Sequence, residues 1–212
     1  GRLANVPYTK LLHKGDVYIV RNNTATGLDG SYVRVLSPGK KVSVYQGNDC
    51  IAVDCGACDH LFEVVPPSSV YGKNFVLNPF FGAGNGYHFN VMGTKSGTIV
   101  TRNGFAVDTL DAGEQYTEKM AQDSSLCIST SEPAIVMQMM IGCNSLSTGD
   151  PAYLYVVPLE QTLTNAIIST SNTTIIKEHF INVLLPKPGI QRFFLDGVKI
   201  PSTSFNQVYC GD

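Results

Sequence analysis

The chain has 212 residues, 43% of them apolar and 15% charged, with a formal net charge of −2. The charged share is below the usual quarter, so neither disorder nor electrostatic steering is indicated, and a near-neutral chain without a basic patch excludes nucleic acid as an expected partner. No apolar run reaches the ~18 residues that a membrane-spanning helix needs, so no membrane insertion is expected.

Strand text dominates from the start. Val17–Val20, Tyr32–Leu36 and Val42–Tyr45 are short, β-branched or aromatic, and bounded by Gly, Pro or Asn. Arg34 and Ser43 interrupt them with the alternation of a half-buried strand. Similar runs return at 75–77, 87–91, 98–101, 135–140, 153–157, 180–185 and 193–195. Asn103-Gly104 and Asp196-Gly197 are the strongest hairpin turns, because both residue types tolerate positive φ. Residues 111–122 hold fair helix formers, Glu114, Gln115, Glu118, Lys119, Met120 and Ala121.

The chain also repeats itself. His88-Phe89-Asn90-Val91 lies over His179-Phe180-Ile181-Asn182-Val183, 91 residues later, and Asp59 to Pro66 lies over Asp150 to Pro158. Leu12 to Tyr18 matches Leu110 to Tyr116, Ser37-Pro38 matches Glu132-Pro133, and Asn103-Gly104 matches Asp196-Gly197. The order is kept and the offset drifts slowly. A period this long is that of a small domain rather than of a solenoid repeat. The counterpart of 111–122, residues 14–22, reads as strand, so both are assigned to strands. The expected fold is all-β, with two tandem homologous β-sandwich-like units of about 90–100 residues. Cut at the first phase they are 1–104 and 105–212. The repeat can equally be cut so that one domain runs from about 67 to 158. Gly1 falls inside a repeat unit, so the chain reads as a piece of something longer.

Six cysteines in a Gly-, Ser- and Thr-rich β sequence suggest disulfides and an oxidising compartment. The sequons Asn22-Asn23-Thr24 and Asn172-Thr173-Thr174 agree with secretion and mark Asn22 and Asn172 as glycosylation sites. Cys50, Cys55, Cys58 and His60 form the one dense cluster. It admits a zinc site, a Cys-x-x-Cys redox motif, or a structural disulfide. A second distant pair of zinc ligands is missing from the sequence, and no helix follows Cys55 to lower its pKa. Cys127 and Cys143 flank the strand 134–141 and are expected to pair, leaving Cys210 for Cys55 or for another chain in a disulfide-linked oligomer. His88 and His179 occupy equivalent places beside Phe and read as framework. Gly82-Ala83-Gly84-Asn85-Gly86 joins two strands and opens no helix, so it is not a phosphate loop.

The stretch Val42-Ser43-Val44-Tyr45-Gln46-Gly47-Asn48-Asp49-Cys50, then Cys58-Asp59-His60-Leu61-Phe62-Glu63-Val64-Val65-Pro66-Pro67 and Ser69-Val70-Tyr71-Gly72-Lys73-Asn74-Phe75-Val76, resembles the N-terminal domains of the IgGFc-binding protein family. Asp150 to Pro158 and Phe194-Leu195-Asp196-Gly197 continue the likeness. Cys55 is an extra cysteine against that pattern, and Tyr71 stands where the family pattern has Trp. The resemblance implies a Cys50–Cys58 disulfide and a secreted, extracellular adhesion or scaffold module. It implies partners among mucin-like or von Willebrand-type modules. Immunoglobulin binding is not carried over. The expected function is a non-enzymatic structural or adhesive role in protein or glycan contacts, through loops 46–60 and 142–150, with no cofactor, no metal and no catalytic set. Two alternatives are kept: a carbohydrate-recognition module, and a thiol- or zinc-dependent enzyme using Cys55, Cys58 and His60.

Overall fold

The computed structural model describes the whole chain except residues 1, 2, 4, 24–26, 55, 57, 82, 83, 143–150, 171, 172, 174–178, 211 and 212. The described residues carry β-strands and short 3-10 turns. The strands are β1 (Tyr45–Ile51), β2 (Asp59–Val64), β3 (Gly72–Leu77), β4 (Tyr87–Gly93), β5 (Thr98–Arg102), β6 (Phe105–Leu110), β7 (Gln115–Met120), β8 (Leu126–Met140), β9 (Ala152–Tyr155), β10 (Phe194–Leu195) and β11 (Val198–Lys199).

β8 organises the fold. Its first part, around residues 126–130, lies between β3 and β5, with β6 beyond β5. Its second part, 134–140, lies between β9 and β4, with β7 beyond β4. One strand therefore runs through both halves of a single curled, seven-stranded antiparallel sheet. The passage falls at Ser131-Glu132-Pro133, where β3 skips from Ser129 to Ala134 in its pairing. Pro133 has no N–H to give a ladder, so it suits the bend and not the interior of either half.

The core follows from period-two alternation. Tyr87, Phe89 and Val91 of β4 point inward, and Phe75, Leu77, Val100, Leu110, Leu126, Ile128, Ala134 and Val136 meet them. Most polar groups taken inside find partners, the exceptions among the described residues being Asn85 Nδ2 and Asn90 Oδ1. The Gln138 amide donates to the Asn78 carbonyl at 2.6 Å, the Tyr87 hydroxyl to the Ser124 carbonyl at 2.6 Å, and the Thr98 hydroxyl to the Lys95 carbonyl at 2.6 Å. At the edge of the core Glu118 accepts from Arg102 and from the Tyr116 hydroxyl. Burial first, then that bond, push the Tyr116 phenol up to about 12.

The helix-forming text at 111–122 is strand: β7 pairs with β4 along its whole length. The Asn103-Gly104 turn joins β5 to β6 with φ of 47° and 86°, as expected of an Asn-Gly hairpin. That hairpin bridges residue 104, and β8 takes partners from both sides of it, so the strands of the seven-stranded sheet all lie within 72–155. The strand text outside this unit fares differently. Residues 17–20, 32–36 and 180–184 form no strands, and Val17, Ile19, Tyr32, Val33 and Phe180 stand in solvent. A strand exists only within a hydrogen-bonded ladder, and none of these runs enters a ladder among the described residues.

Candidate functional site

The segment that distinguishes the N-terminal flank is the β1–β2 hairpin. It is a two-stranded sheet outside the seven-stranded one, pairing Tyr45 with Val64, Gln46 with Glu63, Gly47 with Phe62 and Asn48 with Leu61. A lone hairpin is marginal in water, and this one is braced in three ways. A Cys50–Cys58 disulfide closes its loop, with Cα atoms 5.0 Å apart. Val53 and Leu61 pack with Ile141, Ile51 and Tyr153 as a second small core. The Tyr153 hydroxyl donates to the Gln46 carbonyl at 2.7 Å, and Gly142 N–H to the Val53 carbonyl at 3.3 Å.

A charge cluster completes the bracing. His88 on β4 and Lys119 on β7 are direct cross-strand partners, so both side chains leave the same face. Asp54 of the hairpin loop meets both, at 2.9 Å from His88 Nε2 and 2.7 Å from Lys119 Nζ. Lys119 first, and His88 second, hold the Asp54 carboxyl below the usual carboxylate range. A depressed carboxylate contributes stability above its unfolded pKa and loses it as pH falls through the folded value. The loop should therefore stay docked at neutral pH and loosen only below about pH 4. Exposure limits the contribution to about 0.2–1 kcal/mol. Amide exchange of residues 51–54 at pH 7 should quicken in Asp54→Asn relative to the parent, and the two should converge near pH 3. Equal exchange at pH 7 would remove this role from Asp54.

The outer face of the hairpin carries Tyr45 and Phe62. Their rings stack at 5.8 Å with an interplanar angle of 11°, and they remain 56% and 71% exposed. This is a flat apolar surface that the described residues leave largely uncovered.

The cysteines sort differently from the spacing argument. Cys127 is bonded to Cys210, Cα atoms 5.0 Å apart, which replaces both the expected Cys127–Cys143 pair and the assignment of Cys210 to Cys55 or to another chain. The reason is the length of β8. Its 15 residues separate the two ends at about 3.3 Å each, far beyond the ~7 Å that a disulfide bridges. Cys55 and Cys143 lie outside the described residues. Cys58 is committed to Cys50 and has no thiolate to offer, so the zinc and redox readings lose a shared member. His60 is the second residue of β2 and is exposed. Among the described residues no group of His, Cys, Asp and Glu is arranged to hold a metal. Asn22 is exposed, and Asn172 lies outside the described residues. Loop 142–150 is described only at Gly142. Sequence reading missed the Asp54–His88–Lys119 cluster, which depends on the β4–β7 register, and the Tyr45–Phe62 stack, which depends on the β1–β2 register.

Together these features define a disulfide-bridged, mostly β module, a curled antiparallel sheet with a braced, aromatic-faced hairpin. No helix among the described residues is long and apolar enough to cross a membrane. The chain belongs to the IgGFc binding protein family, whose model matches residues 1–212, its whole length. This agrees with the resemblance drawn from 42–76. No match exists among the curated proteins or the solved structures.

Proposed function

We propose that this chain is a secreted, extracellular, non-enzymatic structural or adhesive module, built from two copies of one β unit and glycosylated at Asn22 and Asn172. It makes contacts with other extracellular protein modules through the outer face of the β1–β2 hairpin. The observation that carries this is the exposed Tyr45–Phe62 stack on a disulfide-closed hairpin. Rigid aromatic rings lose little conformational entropy on binding and are enriched where interfaces draw their energy. Membership of a family described by binding supports the same reading. Loop 142–150 is the second contact candidate. Because aromatic faces also stack on sugar rings, glycan recognition is the second reading, resting on the same near-parallel pair.

The test uses the intact chain after enzymatic removal of its own N-glycans. It is presented to immobilised mucin-type and von Willebrand-type protein modules and to a glycan array, beside a Tyr45→Ser/Phe62→Ser variant. Binding to a protein module that weakens about 10-fold or more in the variant supports the proposal. Binding confined to the array moves the function to carbohydrate recognition. A variant that binds every surface as the parent does would sink the hairpin as the contact site.

A further inference from the structure

We infer that the two flanks of the sandwich are the complementary parts of a second sandwich, folded from residues before 67 together with residues after 158, with the first unit inserted between them. This deepens the two-unit reading by naming which segments meet.

The flanks already hold the local structure of the repeat. β1 and β2 pair in the register of β8 and β9: Tyr45 with Val64 corresponds to Met137 with Tyr155, and Asn48 with Leu61 to Met140 with Ala152. The 3-10 turn Ser68–Val70 follows Pro67, and Leu159–Gln161 follows Pro158, with matching extended caps on both sides. His13 N–H donates to Asp16 Oδ2 at 2.8 Å while Asp16 N–H donates to the His13 carbonyl at 3.1 Å. Asp111 and Glu114 make the same two bonds at the same distances. Asp196-Gly197, at φ of 49° and 80°, joins β10 to β11 as Asn103-Gly104 joins β5 to β6.

What each flank lacks is what the other supplies. The N-terminal flank carries the counterparts of β7 (residues 17–20), β8 (32–36 and 42–48) and β9 (59–64). The C-terminal flank carries those of β3 (163–168), β4 (180–184), β5 (193–195) and β6 (198–199). In the first unit β8 is the hub; β9 pairs with it, and so do β3, β4 and β5. Here the hub and its β9 counterpart lie in one flank and the counterparts of β3, β4 and β5 in the other, so neither flank can close a sandwich alone. Side chains agree in part: Val44 and Gln46 stand where Val136 and Gln138 point inward, and Phe180 where Phe89 is buried, while Val183 takes the place of Val91 only across a one-residue bulge, because one extra residue separates it from Phe180. The present exposure of Phe180 and Val183, with Val17, Ile19, Val33 and Ile167, is more apolar surface than a folded domain ordinarily leaves open.

The connections permit it. Entry to and exit from the first unit lie side by side. Glu160 accepts from Lys73 N–H at 3.1 Å and from the Asn74 amide at 2.9 Å, and Pro158 sits so close to Gly72 that a Cβ there would stand 2.3 Å from the proline. Adjacent termini are what a domain inserted into another requires, and linkage in one chain gives the two flanks a high effective concentration. Tyr45 and Phe62 alternate with the inward residues and stay on the outer face. The closing step moves 180–184 from Phe81, on whose ring Phe180 now stacks at 4.2 Å, to the edge of β1 away from β2, which carries no strand among the described residues.

By the pairing of Val91 with Val136, Val183 should lie opposite Val44. Hydrogen exchange on the unmodified monomer should show amides 43–47 and 180–184 protected like those of β4. Exchange at free-peptide rates in both segments would overturn the inference. Val44→Cys/Val183→Cys in the full chain, mapped by peptide mass without reduction, should give a 44–183 bond within the monomer. A 44–183 bond between chains would overturn it by assigning the completion to a second copy. Either failure leaves the hairpin contact standing, because that is read by binding of the Tyr45 and Phe62 variant.

Discussion

Replacing Phe89 by alanine should destabilise the sandwich by about 3–5 kcal/mol, seen as a fall in the urea midpoint with an unchanged slope. Phe89 is fully buried at the centre of β4, between β8 and β7, with its ring 6.0 Å from that of Tyr116. Truncation removes the transfer energy of the ring and leaves a cavity that two hydrogen-bonded neighbouring strands cannot collapse to fill. Phe180 is the informative control. With its ring in solvent against Phe81, alanine should cost no more than about 0.5–1.5 kcal/mol, the worth of the aromatic pair. In a composite second sandwich it should cost several times that. A Phe89→Ala variant within about 1 kcal/mol of the parent would mean that β4 is not the core strand described here.

How far the sequence spoke depended on whether information was local. β4 was legible because Tyr87, Phe89 and Val91 alternate with His88, Asn90 and Met92, and one face of a sheet needs nothing more. β7 was legible only through the repeat. Gln115-Tyr116-Thr117-Glu118-Lys119-Met120 is propensity-neutral text, and pairing to β4 decides it. The runs at 17–20 and 32–36 are as strand-like as any in the chain, yet they form no strand, because propensity does not supply a partner. β8's passage through both halves of the sheet left one trace, Pro133, whose meaning needs the neighbours. The Cys50–Cys58 bridge closes a short loop within one hairpin and was available by resemblance. Cys127–Cys210 joins residues 83 apart and could not be chosen among the pairings that six cysteines allow. Asp54 drew no notice, since its two cationic partners come together only when β4 and β7 are in register.

Removing that long bridge is the second large effect. In Cys127→Ala/Cys210→Ala the unfolded chain regains the entropy of an 83-residue loop, worth about 4.5 kcal/mol in the chain-entropy picture, against about 2.5 for the eight-residue Cys50–Cys58 loop. How much of this appears depends on what the bridge holds in the native state. Cys127 lies in the hub strand, nearly buried, with its N–H on the Asn103 side chain at 2.8 Å and its carbonyl on Asn103 N–H at 2.9 Å, so the sandwich end of the bond is fixed. The Cys210 end belongs to the C-terminal flank. If that flank stays open, the native state regains most of the same freedom when the bond is cut, and the loss should be small. If the flank is ordered against its N-terminal counterpart, the freedom returns only on unfolding and the loss should approach the full figure. A drop of about 3 kcal/mol or more in urea denaturation, with 72–155 still resistant to limited proteolysis and 159–209 cut first, is the result expected here. An unchanged midpoint would place the C-terminal flank outside the cooperative unit and remove the thermodynamic ground for a second sandwich.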